Sequence, residues 1–115
     1  MNPPTFKGVK LVGIQYRPQY SQLIAACITK GDFCGLVREP FNPHDKAAVM
    51  AVSQDTLIAY VERDVAAELA TWMDRGISYH AEVRRNLGKF IIANLVPNPP
   101  KKKQAERTTS LETTE

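Results

Sequence analysis

Short apolar and alternating runs suited to strands recur along this sequence, and in only two places does the pattern take the period of a helix. The clearest alternation is in residues 77–84, where Ile77, Tyr79, Ala81 and Val83 fall on one side and Ser78, His80, Glu82 and Arg84 on the other. That pattern predicts a half-exposed antiparallel strand. Asn86, Leu87 and Gly88 turn it back into a last strand at 89–96. At the other end, residues 9–16 (VKLVGIQY) are rich in β-branched and aromatic residues and predict the first strand, closed at Arg17 by Pro18. Residues 33–39 predict a second strand, in which Gly35 marks a bulge or a close backbone approach. Residues 47–53 are apolar on both faces and predict a central strand. Gln54 and Asp55 then make a tight turn into a partner strand at 56–61.

The helical period is strongest over 62–75, where Val65, Ala66, Leu69, Trp72 and Met73 form one apolar stripe and Glu68, Asp74 and Arg75 face outward. Gly76 stops it. A shorter helix follows from Leu23, Ile24 and Cys27 before Gly31, although Ile28 and Thr29 also suit an extended end. Five to six short strands with two helices must each bury one face, and a small OB-like or SH3-like β-barrel, mostly β, with the helices plugging or flanking it, does this. The layout expected is an N-terminal extension at 1–6, a barrel domain at 7–96 and a disordered basic and polar tail at 97–115. The tail holds a lysine triplet and one large apolar residue, Leu111, too little to offset chain entropy.

Composition narrows the function classes. The 115 residues are 43% hydrophobic, enough for one modest core. No apolar run approaches the roughly 20 residues of a bilayer span, and the two early prolines do not suit a signal peptide, so a cytoplasmic protein is expected. Residues Cys27 and Cys34 are spaced C-x6-C, and His44 and His80 lie far apart. Metal ligands usually come as close pairs converging on one ion, so free thiols and no metal or other cofactor are expected. The net charge is +3, compatible with a polyanionic partner without requiring one. Residues 1–100 carry 11 Lys and Arg against 9 Asp and Glu, so binding to nucleic acid would depend on local arrangement.

The least regular stretch is 37–52, VREPFNPHDKAAVMAV. Taken one residue at a time it is a rigid turn: Pro40 and Pro43 fix φ, and Asn42 and Asp45 can accept from nearby backbone N–H groups. The order of its residues says more. LVREPFNPHDKAAVMAV followed by IAYVERDVAAELATWMDRG, with LVGIQYR upstream, resembles the HIRAN domain. That family's pattern runs through an R-E-P-type strand end, an N-P-aromatic-D loop, an apolar strand and a helix start. The resemblance covers roughly residues 7–96.

The resemblance implies an OB-like barrel that binds nucleic acid. HIRAN domains occur fused to fork-remodelling translocases, where they capture the free 3′-hydroxyl end of single-stranded DNA, and as small stand-alone bacterial or phage-borne proteins. This sequence looks like the second kind, and the resemblance implies DNA repair or replication-fork processing as the setting and a repair or phage protein as a further partner. Position by position, Asp45 matches the acidic residue at the 3′-hydroxyl, and Tyr16 matches an aromatic that stacks on a base. His44 stands where another aromatic is common, Tyr60 lines the same region, and Arg63 matches a basic position at the helix start. Arg17 and Lys46 flank the pocket as further phosphate contacts. Two departures stand out: Gln15 replaces an arginine and Ala59 a glycine. Glu62 stands where proline is common.

The chemistry gives independent support. A carboxylate accepts a hydrogen bond from a terminal hydroxyl but repels a phosphate, so Asp45 could read an end; it could equally brace the Asn42 turn. Base stacking on an aromatic contributes on the order of 1–3 kcal/mol per base. Arg38 could instead be a strut to Glu39 or Asp45. A protein-interaction adaptor without nucleic-acid binding is the rival from another class. An enzyme has the least support, because one Asp–His pair without clustered partners cannot hold a metal and activate water.

Overall fold

The computed structural model describes residues 2–99. Six strands and two helices follow one another: β1 (Phe6–Val12), a 3-10 turn (Ile14–Tyr16), α1 (Gln19–Ala26), β2 (Phe33–Arg38), β3 (Val49–Ser53), β4 (Thr56–Val61), α2 (Arg63–Asp74), β5 (Tyr79–Asn86) and β6 (Ile91–Pro97). The strands close into an antiparallel barrel in the order β1-β4-β3-β2-β5-β6, with β6 returning to β1. This is the mostly β barrel with two helices that the pattern predicts. Of the expected tail, Pro97 pairs with Tyr79 as the last residue of β6, and residues 100–115 with the lysine triplet lie outside the described residues.

Alternation sets what goes inside. Tyr79, Ala81 and Val83 of β5 meet Ile91, Ala93 and Leu95 of β6 in one buried cluster with Leu11, Val49 and Ile58. Ala66 and Leu69 of α2 join it, as do Ile24 and Ala25 of α1. The Tyr79 hydroxyl donates to the Pro4 carbonyl at 2.7 Å, tying the segment before β1 to the barrel. In β4 the alternation breaks: Ile58 and Ala59 are both buried, because the register with β3 shifts by one residue there. The extra residue of this bulge is Ile58, directly before the unusual Ala59, which pairs with Ala51; Gly35, expected to mark a bulge or a close backbone approach, sits in regular register with Val52.

Three other expectations need correction. The first strand ends at Val12, not at residue 16: Gly13 turns the chain at φ +85°, and Ile14, Gln15 and Tyr16 form the 3-10 turn. A positive φ is cheap only for glycine, so the VGI step that reads as strand is the place where the strand stops. In α1 the buried positions are Ser21, Ile24 and Ala25, continuing to Ile28 beyond the helix, while Leu23 is 59% exposed and Cys27 is exposed too. Ile24 and Ile28 select the face, and small residues between them allow close approach. Arg38 is a strut, but to neither acid expected. It pairs with Asp74 at the end of α2 at 2.9 Å and donates to the Ala48 carbonyl at 2.8 Å. This fixes α2 against the start of β3.

Cys34 is buried and unpaired, and burial, aided by Asp32, pushes its thiol up to about 11. Among the described residues, no group of three or more His, Cys, Asp or Glu side chains could hold a metal ion, and no helix is long and apolar enough to cross a membrane.

Candidate nucleic-acid interface

The loop from β2 to β3 is built by its own polar residues. Glu39 N–H donates to the Ala48 carbonyl at 3.0 Å and closes the neck. Pro40 and Phe41 occupy the centre of a turn in which Asn42 N–H donates to the Glu39 carbonyl at 3.1 Å. The Asn42 side-chain oxygen then accepts from His44 N–H at 2.8 Å and Asp45 N–H at 3.0 Å, and Asp45 Oδ1 accepts from Ala47 N–H at 3.0 Å. Each of these is an Asx-type bond that replaces a ladder partner the loop lacks. The prolines limit φ while the amide fixes the turn, so His44 and Asp45 are presented on a stiff frame.

Glu39 fastens this frame to the barrel. Its Oε1 accepts from Asn42 Nδ2 at 2.9 Å and from the Tyr60 hydroxyl of β4 at 2.7 Å. The Asn42 bond, followed by the Tyr60 bond, holds the Glu39 carboxyl below its ordinary value. Burial, reinforced by Glu39, pushes the Tyr60 hydroxyl up. Glu39 is therefore a carboxylate and Tyr60 a neutral donor at physiological pH. From the sequence Glu39 appears only as a partner for Arg38. The signal for its real part was its place three residues ahead of Asn42, the spacing of a turn.

Arg63, the first residue of α2, completes the site. Its Nη2 donates to the His44 carbonyl at 3.1 Å, and its Nε lies 3.6 Å from Asp45 Oδ2. The arginine side chain is 74% exposed, so the pair adds little stability and the cation still faces solvent. Its neighbour Glu62 has a structural use: the carboxylate accepts from Lys10 N–H at 2.8 Å, extending the short β1–β4 ladder.

Val12, Asn42, His44, Asp45, Ala48, Tyr60, Val61 and Arg63 surround one cavity of about 240 Å³. Val12, Ala48 and Val61 supply its apolar lining, and Asn42, His44, Asp45, Tyr60 and Arg63 its polar lining. Four of the seven residues singled out from the sequence, His44, Asp45, Tyr60 and Arg63, thus converge on one cavity. Lys46 lies outside it, on an adjoining depression. Tyr16 is not among the lining residues; it stands 81% exposed on the 3-10 turn that follows Val12. Arg17 lies near Glu39 and Tyr60, close enough for its charge to favour the Glu39 carboxylate, and its Nε is shielded without a partner among the described residues. Gln15 is exposed, and its carbonyl accepts from Gln22 Nε2 at 3.4 Å.

The closed six-stranded barrel thus carries a braced Asn-Pro-His-Asp loop beside the start of α2, the architecture of a small β-barrel module. The sequence matches the model of the HIRAN domain over residues 6–104, and the chain belongs to that family, whose members are in general DNA-binding modules and not themselves catalytic. In fold it is similar to a protein from Lactobacillus plantarum, at TM-score 0.71 and 19% identity, covering 84% of this chain and 98% of that one. It is similar too to the crystal structure of the HIRAN domain of human HLTF, at TM-score 0.67 and 18% identity, over 94% of this chain and 86% of that one. The NMR structure of the same HLTF domain gives a TM-score of 0.62 at 17% identity, over 95% and 86%. No curated protein matches the sequence.

Proposed function

We propose that this domain binds single-stranded DNA at a free 3′-hydroxyl end, in the cytoplasm, as a non-enzymatic module of DNA repair or fork processing. The observation that carries the reading is the pairing of acceptor and cation at one cavity. Asp45 Oδ1 is engaged by Ala47 N–H, which leaves Oδ2, beside Arg63, for a donor from outside. A strand end offers that donor only as a free hydroxyl; a terminal phosphate brings negative charge against a carboxylate. Tyr16 and His44 supply stacking faces, Tyr60 lines the cavity, and Arg63, Arg17 and Lys46 meet the phosphates.

Fluorescence anisotropy with oligonucleotides that differ only in a 3′-hydroxyl or 3′-phosphate tests this directly. A hydrogen bond to a charged group contributes about 1.5–3 kcal/mol, so the hydroxyl end should bind roughly tenfold or more tighter, and Asp45→Ala should abolish the difference. Equal affinity for the two ends would overturn the end-reading. Absence of any salt-dependent oligonucleotide binding would favour a protein-interaction adaptor.

A further inference from the structure

The cavity at Asp45 has a neighbour. Pro40, Phe41, Asn42, Pro43, His44, Asp45 and Lys46 line a second depression of about 450 Å³. The two share Asn42, His44 and Asp45, so they adjoin along that part of the loop. The inner hollow has the volume of roughly eight waters at ~30 Å³ each, room for one pyrimidine base, and the outer is larger.

Phe41 is the feature of the outer hollow that the loop's architecture does not require. It is 93% exposed, more than any other large hydrophobic side chain described, yet it stands in a hydrogen-bonded turn. Pro40 precedes it, the Asn42-to-Glu39 bond closes the turn around it, and Asn42 is itself held by Glu39. A turn of this type accepts most residues at Phe41's position, so the turn supplies no reason for an aromatic there. An aromatic held rigidly in water loses little conformational entropy when a flat partner covers it. Lys46, also exposed, places a cation on the same hollow.

We infer that Phe41 is a base-stacking platform in an outer subsite that takes the penultimate nucleotide of the strand whose 3′ end lies at Asp45. This rests on the end-reading proposed above and extends it to a second nucleotide. The terminal sugar meets Asp45 Oδ2 on the Arg63 side, which is the inner hollow. The chain then passes His44 and Asp45, which line both hollows, and the next base meets Phe41 with Lys46 at the phosphate. Stacking tolerates any base, so the subsite adds affinity without sequence preference.

The test is a cycle between protein and ligand, using the full chain and a labelled oligothymidylate with a 3′-hydroxyl. Its variant carries an abasic residue at the penultimate position. Phe41→Ala should weaken binding of the intact oligonucleotide about tenfold, Phe41→Trp should retain it, and neither should shift Tm, because the side chain is exposed. The abasic residue should weaken wild-type binding by a similar factor and have almost no further effect on Phe41→Ala. Retention of affinity by Phe41→Ala to within about twofold, or an equal abasic loss in both proteins, overturns the outer subsite while a preference for hydroxyl over phosphate ends leaves the inner one standing. A wild-type protein that binds neither end overturns both.

Discussion

Glu39 takes two hydrogen bonds on one oxygen, from Asn42 and from Tyr60, and so joins the loop that carries His44 and Asp45 to the strand that carries Tyr60. Glu39→Ala leaves an amide and a phenol in a half-buried place without their acceptor, which should cost about 1–3 kcal/mol, nearer the lower value because water reaches both. The pH dependence follows from the depressed carboxyl. A group whose folded pKa lies below its unfolded one stabilises the fold above the unfolded value, and the contribution is lost as pH falls through the folded one. Thermal melts should therefore separate wild type from Glu39→Ala most at neutral pH, and the gap should narrow in acid below the ordinary carboxylate range; a constant gap would show that the charge is not what matters. Asn42, His44 and Asp45 were legible in sequence because turn chemistry is local. Glu39 was not, because its second partner is 21 residues away and the barrel alone brings it alongside.

The elements divide in the same way. The helix over 62–75 and β5 follow from periodicity, since each buries one face and its pattern says which, whereas β3 and β4 are legible as apolar runs flanking a turn. The errors fall where a local pattern permits two outcomes. Leu23 and Ile24 are both apolar on α1, and only packing against the core chooses Ile24. Gly13 within an apolar run reads as strand until its positive φ is seen. The β3–β4 hairpin shows the opposite case, a correct turn with unfavourable residues: Gln54 and Asp55 both have positive φ, at 52° and 59°, the type I′ conformation that favours Asn-Gly. Replacing them with Asn-Gly should stabilise the domain by about 1 kcal/mol and raise Tm by roughly 4–8 °C, read by calorimetry. Because this turn lies at the far end of β3 and β4 from Ala48 and Val61, oligonucleotide affinity should be unchanged.

Across the whole molecule, the pairings that a sequence suggests are the hairpins, and the ones that close the barrel are not: β1 with β4, β2 with β5, and β6 back to β1. These long-range ladders assemble the site. Val12 pairs with Tyr60 across β1 and β4, and α2 begins directly after β4, which puts Arg63 at the same rim. The fold therefore brings Arg63 to the cavity and Arg17 near Tyr60 in a chain whose net charge is only +3. Such a protein cannot hold DNA by a diffuse field, and its salt dependence should be shallow. Each phosphate neutralised on a single strand contributes about −0.7 to the slope of log K against log salt, so Arg63, Arg17 and Lys46 together give about −2. Measured by anisotropy over a salt series, Arg63→Gln should reduce the slope to about −1.4 while retaining the preference for a hydroxyl end, since Asp45 remains. A slope several times steeper would mean that cations elsewhere dominate, and the cavity at Asp45 would then not be where most of the strand is held.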